Sequence, residues 1–119
     1  MPPPAPEVVP LDRRCHGRAV VTLDGRAALD KKRLYAGYPW AADDLARHMT
    51  AGGAALVLVR DGAVAAFTAY ALAPDALDVV KLVSFRREDE LLLIAALRQA
   101  AELALRPAVR LPLVVDLFR

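Results

Sequence analysis

One cysteine, Cys15, is the only thiol in the 119-residue chain. A lone thiol closes no intrachain disulfide, so a reducing, cytoplasmic setting is expected. Two histidines, His16 and His48, are too few to complete a four-ligand zinc site with it, and no metal is expected. Cys15 and His16 are neighbours, which seldom gives a nucleophile pair its hydrogen-bonded geometry. No apolar run approaches the roughly 20 residues of a membrane span. The first ten residues lack the basic and apolar segments of a secretory signal. Aromatic residues make up only 6% of the chain. There is no Walker-type loop, no dinucleotide-binding glycine fingerprint and no G-x-S-x-G elbow. Charge is nearly balanced, sixteen basic against fourteen acidic residues. Arg13, Arg14 and Arg18 form one small basic cluster and Lys31, Lys32 and Arg33 another, with acids near both. Neither makes the aromatic-interleaved stripe of a nucleic-acid binder, so neither nucleic acid nor membrane is expected as a partner.

What is present is 56% hydrophobic and 25% charged, the balance of one globular domain. Residues 1–10 hold five of the nine prolines. They read as a flexible or polyproline-like arm, and residues 1–16 as a Pro-rich lead into a domain over 17–119. Residues 18–23 (RAVVTL) are short and β-branched and predict a strand. Asp24-Gly25 leaves two continuations: a tight hairpin returning through Arg26, or a helix over 26–36 stopped by Gly37. The helix formers in that stretch favour the second. Ala42, Leu45 and Met49 share one helical face, predicting a helix over 41–51 that ends at Gly52-Gly53.

Two apolar runs, 54–60 (AALVLVR) and 63–72 (AVAAFTAYAL), flank Asp61-Gly62 and predict a β-hairpin. Residues 77–85 (LDVVKLVSF) predict a third antiparallel strand. Leu77, Val79, Val83 and Phe85 would face one way, Val80 and Leu82 the other. Two apolar faces imply helices on both sides of the sheet. Glu88-Asp89-Glu90 opens a greasy helix running to about Leu105, before Pro107. Residues 113–118 (LVVDLF) predict a last strand, parallel to the third through a helical crossover. The expected fold is α/β: a mostly antiparallel sheet with helices on both faces, in the order β-α-α-β-β-β-α-β.

At this point GGAALVLVRDGAVAAFTAYALAPDALDVVKLVSF and the helix ELLLIAALRQAAELA carry a resemblance to the GNAT superfamily of acyl-CoA-dependent N-acetyltransferases. The likeness is one of element order, length and hydrophobicity over about residues 17–118. It implies an acyl-CoA site: backbone groups of Val83, Ser84 and Phe85 on the pantetheine arm, Arg86 and Arg87 on the phosphates. It also implies direct acyl transfer to an amine deprotonated by a general base.

Two departures matter. The family's phosphate motif, Arg/Gln-x-x-Gly-x-Gly/Ala, lets backbone amides close on the pyrophosphate at a helix N-terminus. The corresponding residues here, from Ser84 to Glu90, include no glycine and three carboxylates. Each like-charge contact with a phosphate would cost on the order of 3–4 kcal/mol before screening, which Arg86 and Arg87 offset in part. Alternatively the three acids simply favour the helix start. The second departure is length: the family continues past its fifth strand, so an apolar edge at 113–118 would remain for a second copy of the chain to pair with. Two functions follow. One is a domain that has lost acyl-CoA chemistry, with no cofactor, and serves as a dimeric interaction module; the sequence leans this way. The alternative is a diverged acyltransferase that binds acetyl-CoA.

Smaller signals have plain readings beside the functional ones. Lys81 interrupts an apolar strand; it either lines a cleft, meets an acid, or snorkels from a sheet end. His48 reads as a solvated partner of Asp44. Tyr35, Tyr38, Trp40 and Tyr70 read as pocket candidates or boundary packing, with Tyr70 also a possible proton donor.

Overall fold

The computed structural model describes residues 5–30 and 38–112. Its first strand, β1 (Glu7–Pro10), pairs antiparallel with residues 56–59. The edge position suits Pro10, which has no N–H to give a ladder. Asp12 then starts a helix. Its carboxylate accepts the Arg14 N–H at 3.0 Å, the bond of an N-cap, and α1 runs over Arg13–Leu29. The arm reading is therefore corrected for residues 7–16, which supply a strand and the first turn of α1. The strand predicted over 18–23 is corrected too. Val20, Leu23 and Ala27 recur at i, i+3 and i+7 and are all buried. Burial of that stripe outweighs the β-branched preference of Val20, Val21 and Thr22. Asp24-Gly25 is not a turn; it lies inside α1. Of the helix predicted over 26–36, residues 26–29 are the end of α1 and 31–37 lie outside the described residues, as does Gly37.

The helix α2 (Ala42–Thr50) adds Leu45 to the face beneath α1. The hairpin follows as predicted, β2 (Ala54–Arg60) and β3 (Ala63–Leu72). Asp61 and Gly62 both have positive φ, 53° and 78°, as a type I′ turn requires. The third antiparallel partner is β4 (Leu77–Val83), followed by α3 (Arg87–Leu103) and β5 (Val109–Arg110). The sheet order is β1-β2-β3-β4-β5, with only β4 and β5 parallel. The predicted strand at 113–118, and the edge it would expose, lie outside the described residues.

Helices cover both faces. Val20, Leu23 and Ala27 of α1 and Leu45 of α2 pack on Val57, Phe67 and Val83. On the other face Leu93 packs with Leu58 and Ala66, and Leu97 and Ala101 with Leu77 and Val79. Val79 and Val83 thus point to opposite faces, against the single-face assignment from alternation. The cause is a bulge: Ala69 pairs with Lys81 and Tyr70 with Val79, leaving Val80 unmatched. One extra residue inverts the side-chain order of everything before it.

Three positions run against local conformational preference. Gly17 and Gly25 sit within α1. A Cβ at Gly17 would meet Leu45 Cδ2 at an ordinary 3.9 Å, and one at Gly25 would meet nothing within 4 Å. Leu105 closes α3 with φ 57°, donating its N–H to Glu102 while Arg106 N–H reaches Ala101. That is the Schellman arrangement, normally reserved for glycine. Leu105 is 88% exposed, so its side chain gains little there. Gly17→Ala and Gly25→Ala should each stabilise by about 0.5–1 kcal/mol, and Leu105→Gly by about 1 kcal/mol. Urea unfolding of the three variants checks this; a loss of stability in any of them contradicts the assigned backbone.

Candidate functional site

The turn between β4 and α3 gathers the residues that the sequence singled out. Val83 ends β4 and is buried; Ser84 and Phe85 are half-buried; Arg86 is the N-cap of α3 and Arg87 its first residue. Phe85 leans towards α1, where the Arg26 guanidinium lies 4.5 Å from its ring centroid, a cation–π distance. Arg86 makes no side-chain cap bond to the helix. The start of this seventeen-residue helix carries its partial positive charge. Beside this turn, the described pairing of β4 with β5 covers only Leu77–Val109 and Asp78–Arg110, at the far end of β4.

The three carboxylates of the turn do not stand as uncompensated charge. Glu88 pairs with Arg86 at 3.5 Å and Glu90 with Arg87 at 3.2 Å. Asp89 is buried, 1% exposed, and takes both arms of the Arg60 guanidinium from the end of β2. That hydrogen-bonded guanidinium holds the Asp89 carboxyl below its ordinary range, against the opposing effect of burial. The pairs at Glu88 and Glu90 are largely exposed and worth about 0–1 kcal/mol each, so a stronger anion can take over their arginines. Asp89, in contrast, is committed to holding α3 on β2.

Beneath the turn, on the α1 face, lies an ion pair that the sequence did not foretell. Asp24 is fully buried and Lys81 6% exposed. Lys81 Nζ lies 3.1 Å from Asp24 Oδ2 and donates to the Tyr38 carbonyl at 2.9 Å. Asp24 also accepts the Trp40 N–H at 2.7 Å, and the Lys81 ammonium sits 5.0 Å from the Trp40 ring centroid. Lys81 thus meets an acid instead of snorkelling. The pair ties α1, β4 and residues 38–40 together across 57 residues of sequence.

The remaining candidates have structural roles. Cys15 is exposed and donates to Asp12, whose negative charge pushes the thiol up and away from reactivity. His16 Nδ1 accepts the Asp12 N–H. His48 is not Asp44's partner. It lies 2.9 Å from the Ala54 carbonyl and 5.2 Å from the Trp40 ring, while Asp44 pairs with Arg47. Tyr70 packs beside Leu77 and Val79, its phenol pushed up by burial. Tyr35 lies outside the described residues. Among the described residues, no three His, Cys, Asp or Glu side chains converge as a metal site, and no helix is long and apolar enough to cross a membrane.

No protein-family model and no curated protein matches the chain. Solved structures do. The ribosomal-protein-alanine N-acetyltransferase from Brucella melitensis biovar Abortus 2308 superposes with a TM-score of 0.70 at 20% identity, over 96% of this chain and 83% of that one. An acetyltransferase from Trypanosoma brucei gives 0.66 at 16% identity, over 92% and 83%. The aminoglycoside acetyltransferase AAC(6')-Iy, solved with the bisubstrate analog CoA-S-monomethyl-acetylneamine, gives 0.70 at 13% identity, over 96% and 83%. The chain has the GNAT acetyltransferase fold.

Proposed function

We propose that the chain binds an acyl-CoA at the β4–α3 turn and passes the acyl group to an amine. The observation that carries this reading is the charge balance of the turn. Asp89 keeps its Arg60 partner whether or not a ligand binds, and Glu88 and Glu90 each lie beside an arginine, so the repulsion expected from three bare carboxylates is reduced. The residues present fit the group: the positive end of the α3 dipole and two exposed guanidiniums suit a pyrophosphate. Arg86 and Arg87 would hold the phosphates, and backbone groups of Val83, Ser84 and Phe85 the pantetheine arm. Acyl-CoA, when bound, supplies an activated thioester. Similarity in fold to structures that include a CoA bisubstrate complex supports the same reading.

Calorimetric titration with acetyl-CoA tests it. We expect a dissociation constant of about 10 µM, about 7 kcal/mol of binding. Replacing both Arg86 and Arg87 by alanine should weaken binding at least tenfold, since a hydrogen bond to a charged group contributes about 1.5–3 kcal/mol. Unchanged affinity in that variant rejects the assigned residues. No heat at 1 mM acetyl-CoA rejects the function.

A second reading is a scaffold without cofactor that acts as a dimeric interaction module, pairing through its C-terminal sheet edge. Its support is the absence of glycine between Ser84 and Glu90, with the exposed Glu88 side chain beside the helix start. Sedimentation as a monomer at 50 µM would reject it.

A further inference from the structure

We infer that the groove between α1 and α2 is a docking site for an acidic peptide segment carrying apolar side chains. The groove has a volume of about 430 Å³. Its floor is apolar: Val21, Ala42 and the buried Leu45, with Gly17 leaving the space above Leu45 open. Its rim is cationic, formed by Arg13, Arg14 and Arg18. All three are exposed, and among the described residues none of them is in an ion pair.

Arg98 too is exposed without an ion pair among the described residues; what sets this cluster apart is that three such arginines rim one apolar-floored groove. The other arginines that meet carboxylates in this fold, Arg47, Arg60, Arg86, Arg87 and Arg110, do so within the chain. The carboxylates near the groove are already engaged. Asp12 caps α1 and accepts from Cys15. Asp44 holds Arg47 and the Ala41 N–H, and the charge of Asp43 acts on Arg47. Three guanidiniums within six residues repel one another, and they stand at the helix end where cations are disfavoured. Local helix stability therefore does not account for them; an external anion does. Fifteen N–H donors over an apolar floor suit carboxylates alternating with leucine-sized side chains. A nucleic acid would want stacking surfaces, and among the described residues no aromatic side chain lines this groove. The inference rests on α1 and α2 alone and stands or falls separately from the acyl-CoA reading.

Fluorescence anisotropy of the full chain with a fluorescein-labelled twelve-residue peptide, four repeats of glutamate-glutamate-leucine, tests it. We expect micromolar binding that weakens at least tenfold between 50 and 300 mM salt. Arg14→Glu with Arg18→Glu should weaken binding at least tenfold. Gly17→Leu, which fills the groove without changing charge, should weaken it at least fivefold, and a peptide with lysine for glutamate should not bind. Circular dichroism confirms that the variants are folded. No binding at 1 mM peptide overturns the proposal. So does unchanged affinity in either variant, or tighter binding of a labelled single-stranded oligonucleotide than of the peptide.

Discussion

Replacing Lys81 by methionine lowers the unfolding free energy by about 3–5 kcal/mol, the usual cost of stranding one charge of a buried pair. The carboxylate left behind, Asp24, has no exposed surface to rehydrate through. Methionine restores the volume of the stem but not the ammonium that donates to Tyr38 and faces Trp40. For a domain of this size the whole stability is about 5–15 kcal/mol, so the loss is a large fraction. Asp24→Leu should cost a similar amount, because Lys81 is then the stranded partner. The double variant, Asp24→Leu with Lys81→Met, should lose clearly less than the sum of the two, since neither charge of the pair is left stranded. Urea unfolding of the four proteins measures this. Strict additivity would mean that the two groups do not interact in solution.

The pair between Arg60 and Asp89 gives the second large effect and a pH dependence. Arg60→Met should cost about 3 kcal/mol at pH 7, since Asp89 stays buried and loses both donors. The guanidinium holds the Asp89 carboxyl low in the folded protein, while in the unfolded chain it titrates near 4. A group depressed by folding contributes stability above the unfolded value and loses it as pH falls through the folded value. Wild-type stability should therefore drop as pH falls below about 4. In Arg60→Met, burial without its partner raises the Asp89 carboxyl instead, so the gap to wild type should narrow on acidification. Asp78, Asp44 and Asp12 are also held low, by Arg110, by the Ala41 N–H and by the Arg14 N–H respectively, and add to the same acid loss in both proteins. Thermal unfolding at pH 3, 4, 5 and 7 reads the difference. A gap that stays constant across that range contradicts the assigned pair.

Local signals made the middle of the chain legible. Asp61-Gly62 can turn only one way between two apolar strands, so the hairpin came out residue for residue. Apolar spacing gave α2 to within a residue at each end, and acids followed by leucines gave α3. The element order agrees, although the first strand and first helix lie elsewhere and the last strand, expected at 113–118, has its described counterpart at Val109–Arg110. Residues 18–23 look like a strand only while their partners are unknown. The helical spacing of Val20, Leu23 and Ala27, with Asp12 as a cap, is the signal in the sequence that favours the helix. Lys81 with Asp24 was not available at all, because nothing local links a lysine in a strand to an aspartate 57 residues earlier. The bulge at Val80 is of the same kind: strict alternation gives no warning of one extra residue. At the β4–α3 turn the residues were visible but their charge balance was not, because Arg60 reaches Asp89 across 29 residues.

Backbone amide spectra of the labelled protein during titration with coenzyme A test the central claim directly. If a polyanion docks where β4 meets α3, the resonances of Ser84, Phe85, Arg86, Arg87 and Glu88 should shift first and most, saturating together. Spectra unchanged at millimolar ligand, or shifts centred on another part of the fold, would contradict it.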